Sequence, residues 1–305
     1  MPENRRGRGA SWPIQIPLAG WKDIAFRVKE SIGRDNLTIV SAGIAFYAFL
    51  AVFPAIAAVV SIYGLISNPA DVEAQLARLA GVLPPEVLSV LLNQLSRIAE
   101  ADHTVSLGLL ISLLLTVWSA SRGMKGMIIA LNIVYKQTER RSFIRFNVVG
   151  LFFTICAIVF LILSLSLIVA VPALLGHIGL SDHAASLTRA LRWPLLGILV
   201  ALGLALLYRY APNRGDATVR WVTTGSIVAT LLWLVVSVGF SEYIAHFGDY
   251  SAIYGSLGAI VILLLWFYFS AFVILLGAEL NAAMEHQTAL DPSMNSHDTP
   301  EGTAR

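Results

Sequence analysis

Six long apolar runs constrain this chain more than any other feature. They lie at about residues 37–66, 105–120, 146–175, 191–208, 221–244 and 252–278. A helix needs about 20 apolar residues to cross the hydrocarbon core of a bilayer. The runs therefore predict an all-α fold: a polytopic membrane helix bundle of about six transmembrane helices, with amphipathic interfacial helices. The second run is the shortest. The first, third and sixth exceed what a perpendicular helix needs, so tilt or protrusion is expected. Composition agrees, because 57% of residues are hydrophobic and only 13% are charged. Soluble domains carry about twice that share of charge.

Basic residues set the direction of the spans. Seventeen of the 21 lysines and arginines fall in the N-terminal segment, the loops after spans two and four, and the C-terminal tail. Arg78, Arg97, Arg189 and Arg192 are left for the alternate loops. An even number of spans puts both termini on one side, and the bias makes that side the cytoplasm of a bacterial inner membrane. The first residues are polar and basic rather than a short apolar signal core, so the first span is expected to target the chain and stay in it. Cys156, the one cysteine, permits no intramolecular disulfide and no cysteine metal cluster. A net charge of +2 gives no support to nucleic-acid binding.

The expected organisation has three parts. Residues 1–22 form a disordered basic N-terminal tail, 23–284 the six-span domain, and 285–305 a disordered C-terminal tail. Within the domain, 70–102 reads as an extracytoplasmic helical cap, either a seal or a lid over a substrate path. In its second helix Leu88, Leu91, Leu92, Leu95 and Ile98 share a stripe. Residues 122–138 read as a cytoplasmic amphipathic helix, with Met124, Met127, Ile128, Leu131, Val134 and Tyr135 on one face. Its flanking cations fit either plain positive-inside bias or contact with anionic lipid.

Several residues inside the spans ask for a reason. Pro54 removes a hydrogen bond in the middle of span one, which predicts a kink covered by protein. Ser41 opens a row of small residues that permits close helix approach, and Tyr47 adds a hydroxyl near the same depth. Glu242 and His246 share a helix face at the end of span five. They fit a proton relay, a weak cation site or an ordinary interfacial end. Gly255 permits close packing at the start of span six. Glu279 follows its aromatic run; within the membrane it needs a cation, for which Arg122 and Arg209 are candidates, and at the surface it needs none.

These residues resemble a known family. The run from Ser41 through Tyr47 to Phe53-Pro54 is similar to the opening signature of the YihY/BrkB family of bacterial inner-membrane proteins. Trp118-Ser119-Ala120-Ser121-Arg122-Gly123, Tyr208-Arg209-Tyr210-Ala211-Pro212 and Tyr254-Gly255-Ser256-Leu257-Gly258 also match, as does Gly277-Ala278-Glu279-Leu280-Asn281. The resemblance spans about residues 23–284. It implies a six-helix inner-membrane fold, a poorly defined activity, a virulence-factor name linked to serum resistance, and an old ribonuclease BN label generally held to be wrong. Transport or lipid movement is a role proposed for the family. The six histidines are scattered and form no metalloenzyme pattern, and no phosphate-binding loop is present. No cofactor and no catalytic residue is expected.

Three readings follow. The leading one is a transporter-like or lipid-handling protein, with a cavity walled by spans one, five and six and a lipid or small molecule as substrate. Its expected partners are membrane lipids, including anionic lipid at the cytoplasmic face, and no nucleic acid. The second is a structural or interaction protein of the envelope, and the third a membrane ribonuclease. The orientation is directly testable. A reporter active only outside the cytoplasm should work when fused after spans one, three or five, and stay silent at either terminus or after spans two and four.

Overall fold

The computed structural model describes residues 10, 12–66, 106–165, 182–214, 219–246 and 256–287. Its described residues form a 3-10 turn, Pro13–Gln15, and seven α-helices with no strand. These are α1 Leu18–Arg34, α2 Leu37–Ile66, α3 Ser106–Val134, α4 Phe143–Leu165, α5 Asp182–Tyr210, α6 Val219–His246 and α7 Ser256–Gln287. Helices α2 to α7 coincide in order with the six apolar runs. Three described stretches are long and apolar enough to cross a bilayer: Phe143–Ser164, Val222–Ile244 and Ile260–Gln287. Leu37–Ala51 and Pro194–Tyr210 are shorter apolar stretches. The 70–102 cap, Tyr254 and Gly255 lie outside the described residues.

The helices turn apolar side chains outward. Ile198, Leu202 and Leu206 form an exposed row on α5, and Phe152, Ile155, Val159 and Ile162 form one on α4. On α6, Val235 and Val238 are each about 70% exposed. A water-soluble protein does not carry apolar surfaces of this extent. Hydrocarbon as solvent removes the conflict, since a lipid tail is as apolar as leucine.

Helix α7 is the hub, packed against α1, α2, α3 and α6, while α1–α2, α2–α3, α3–α4, α4–α5 and α5–α6 also pack together. Close approach rests on small residues. A Cβ placed on Gly277 would lie 2.6 Å from Ala229 Cβ and 2.7 Å from the Tyr208 hydroxyl. A Cβ on Gly225 would collide with the Asn281 amide. Ser41 and Ala45 are likewise fully buried on α2.

Three expected boundaries need correction. Residues 122–138 do not start a separate surface helix, because α3 runs unbroken from Ser106 to Val134. Its apolar face is not offered to lipid: Met127, Ile128, Leu131, Val134 and Tyr135 are buried in the bundle core. A Cβ placed on Gly123 would lie 3.6 Å from Tyr47 and Ala48, and one on Gly126 4.0 Å from Ile44, so α2 covers this stretch. The N-terminal segment is also ordered earlier than expected. The turn at Pro13–Gln15 precedes α1, and Ile16 and Ile24 bury themselves against Ala283 and Met284 of α7. The same contact carries α7 on to Gln287, past the expected end of the folded part at 284.

Gly277→Ala should therefore lower stability by about 1–3 kcal/mol, the usual cost of overpacking. Gly239→Ala, where a Cβ meets nothing within 4 Å, should not. Thermal unfolding in detergent compares the two.

Candidate functional site

The polar groups of the bundle collect where α2, α4 and α6 begin and α3, α5 and α7 end. Two interlocked sets of contacts form there. The first joins the α3–α4 loop to the end of α5. Asn132 donates to Glu139 at 2.9 Å and accepts from the Asn213 backbone N–H at 2.7 Å. Arg141 donates to the carbonyl of Ala211 at 2.9 Å, and the Asn213 side chain donates to the carbonyl of Thr138 at 3.0 Å. Carbonyls at a helix end lack intrahelical partners, so these donors supply a cap.

The second set is centred on Arg214. Its Nη1 donates to both oxygens of Glu285, at 3.0 and 2.9 Å, and its Nη2 donates to the Tyr208 carbonyl at 3.0 Å. The guanidinium also lies 3.8 Å from the centre of the Tyr135 ring. That fork of donors is a geometry lysine cannot reproduce. Burial pushes the Tyr135 phenol up, and the Asn281 amide donates to its hydroxyl at 3.4 Å. Asn281 accepts the Gly225 N–H at 2.9 Å. Two turns deeper on α7, the Tyr208 hydroxyl donates to the Ile274 carbonyl at 2.6 Å.

Glu279 sits beside this end and is 3% exposed. Ser31, Arg34 and Asp35 of the α1 end are its polar surroundings, and its Oε1 has no hydrogen-bond partner. The expected cations are elsewhere: Arg122 lies over Trp118 and Arg209 over Tyr210. Arg34 lies 245 positions before Glu279 in the chain. Only the docking of α1 on α7 brings it there, so spacing gives no hint of the pairing.

The remaining sequence candidates do not assemble into one site. Ser41 is fully buried, and its hydroxyl has no hydrogen-bond partner. Tyr47 is 42% exposed and stands edge-on to Phe46. Pro54 lies inside α2 and His246 ends α6, but their side chains are outside the described residues. Glu242 is exposed, while Pro212 and Gly258 are buried. Among the described residues, no three His, Cys, Asp or Glu side chains are grouped to hold a metal ion.

A groove opens toward the other end of the bundle, between α6 and α7. Its volume is about 480 Å³, and Ser237, Phe240, Ser241, Ile244, Ile262, Leu263 and Trp266 line it. Spans five and six wall it, without the described part of span one. Aromatic contacts support it from behind: Phe240 meets Phe269, and Trp233 meets Trp266. Trp233 Nε1 donates to Ser270 Oγ at 3.0 Å. The Ser237 hydroxyl is buried without a hydrogen-bond partner, and Ser241, one turn on, is the other polar residue of this wall.

Apolar helices facing outward, joined by polar contacts at one end, define a helical membrane protein. Comparison with known proteins gives the particular family. The family described as Virulence factor BrkB matches residues 28–301, and the chain belongs to it. A UPF0761 membrane protein of Tolumonas auensis (strain DSM 9187 / NBRC 110442 / TA 4) is 28% identical over 257 residues, covering 83% of this chain and 82% of that one. A UPF0761 membrane protein of Cronobacter sakazakii (strain ATCC BAA-894) is 27% identical over 274 residues, covering 88% and 89%. YfkH of Bacillus subtilis (strain 168), named ribonuclease-like, is 38% identical over 179 residues. That match takes in 57% of this chain and 64% of YfkH, under two thirds of its length. No solved structure matches.

Arg214→Lys keeps the charge but loses the fork onto Glu285 and the Tyr208 carbonyl. It should cost about 1–3 kcal/mol, typical of hydrogen bonds to charged groups. Chemical denaturation measures this, and wild-type stability in the lysine variant would reduce the contact to simple charge attraction.

Proposed function

We propose that this protein handles lipid or another amphiphile in the plane of the inner membrane, with the α6–α7 groove as its binding surface. The observation that carries this reading is the groove's chemistry. Its wall is apolar and aromatic, yet Ser237 and Ser241, one turn apart on α6, place two hydroxyl-bearing side chains along it. In a bilayer an unpaired polar group is costly, so a groove of this kind favours an occupant with an apolar chain and at least one hydrogen-bonding group. The charge bias of the loops supports an orientation with both termini in the cytoplasm, which puts the Arg214 end on that side. A structural role in the envelope needs no occupant in the groove. The enzymatic reading rests on the family's old ribonuclease label and on the ribonuclease-like name of the Bacillus relative.

The test is photolabelling of the reconstituted protein with a phospholipid carrying a photoreactive group in its acyl chain. Adducts should concentrate on α6 and α7 around Leu263. Filling the groove by Leu263→Trp should reduce them roughly tenfold, equivalent to about 1.4 kcal/mol of binding. Labelling spread evenly over the outward faces, and unchanged by Leu263→Trp, would sink the lipid reading and leave the structural one.

A further inference from the structure

Two cations stand together on α3 with no carboxylate to answer them. Arg122 and Lys125 are three positions apart and so share one face of the helix. Both reach the Trp118 ring: the Arg122 guanidinium lies 5.5 Å from its centre and the Lys125 ammonium 6.0 Å. Trp118 is 53% exposed, and Arg122 is exposed beside it. Helices α2, α3 and α4 contain no Asp or Glu. Glu139, in the loop that follows α3, is engaged by Asn132 and Arg141. Like charges this close repel each other, the more so where hydrocarbon lowers the dielectric.

The fold nevertheless holds one of the two in place. A Cβ on Gly150 would lie 2.6 Å from Lys125 Cγ, so the bare glycine gives the lysine stem room to cross α4. Lys125 Nζ then donates to Asn147 Oδ1 at 2.9 Å, and the Asn147 amide donates to the Phe143 carbonyl at 2.8 Å. An ammonium has three donors, and Asn147 accepts one of them. Lys125 thus keeps donors to spare, and the Arg122 guanidinium makes no ion pair among the described residues.

The setting selects the missing anion. Asn147 and Gly150 lie within the Phe143–Ser164 stretch that is long and apolar enough to cross a bilayer. Val148, Phe152 and Ile155 are exposed alongside them. A tryptophan among cations, bordered by an outward apolar row, matches the place where headgroups meet acyl chains. An anion that settles there must bring apolar chains of its own.

We propose that Trp118, Arg122, Lys125 and Asn147 form a binding site for the phosphate of an anionic phospholipid, in the leaflet on the Arg214 side of the bundle. The guanidinium fork and the lysine ammonium take the phosphate oxygens. The acyl chains run along the exposed row of α4. The site is separate from the α6–α7 groove and does not require it.

Native mass spectrometry of the full chain, with phosphatidylglycerol or phosphatidylcholine added, tests this. Phosphatidylglycerol should bind in preference. Removing both cations by Arg122→Gln with Lys125→Gln should weaken it roughly thirtyfold, about fivefold for each charge. Each single variant should show its own fivefold loss, which keeps the test open if the double variant does not fold. Lys136→Gln with Arg140→Gln removes two exposed cations from the α3–α4 loop and should leave phosphatidylglycerol binding unchanged. Inorganic phosphate should not compete. Equal binding of the two lipids would overturn the proposal, as would an equal loss in the loop variant, which would mark plain charge bias. Displacement of the lipid by inorganic phosphate would also overturn it, in favour of a site for a free anion.

Discussion

Everything in this structure depends on one constraint: its outer surface is solvated by hydrocarbon. Hydrophobic burial cannot tell one helix neighbour from another when lipid is equally apolar. Pairing must come from shape and from polar contacts. Shape is supplied where Gly277 meets Ala229 and Tyr208, and where Gly225 meets Asn281. Polar pairing is supplied at one end, where Asn132, Arg141, Asn213 and Arg214 tie loop backbone and helix ends together. Two threonine hydroxyls deeper in the spans satisfy themselves locally, Thr154 on Gly150 and Thr230 on Ser226. The bundle is thus specified by a few contacts, and the long apolar rows only keep it in the membrane.

That division explains what could be read from the chain alone. The six runs are legible because length and apolarity are local properties. The stripe at Met127, Ile128, Leu131 and Val134 is legible as a stripe, but periodicity says only that one face is apolar. It does not say whether lipid or protein covers that face. Here α2 and the bundle core cover it, and the cations beside it turn to Trp118 and Asn147. The helix at the N-terminus had a signal that positive charge obscured. Trp21, Ile24 and Val28 repeat at helical spacing among Lys22, Arg27 and Lys29, and they form its bundle-facing side.

The site residues divide in the same way. Glu279 stands out in any reading, since a carboxylate after a long apolar run demands a partner. Its true neighbours come from a helix that docks on α7 from the far end of the chain. Asn281, two residues on, lies inside a motif noted for family resemblance, yet its task of accepting the Gly225 N–H is visible only in three dimensions. Ser237 gives no signal at all, because a serine among valines is ordinary until its hydroxyl is seen to lack a partner.

The two notable features of α7 cannot meet one ligand. Trp266 in the groove and Glu279 at the α1 joint are thirteen residues apart, about 20 Å along a helix. They also point to nearly opposite sides, Trp266 toward α6 and Glu279 toward α1. Any influence of one on the other must pass through movement of α7 as a unit. Side-chain flexibility alone cannot carry it, because the helix is held between them by close packing at Gly277 and by the Tyr208 hydroxyl on Ile274.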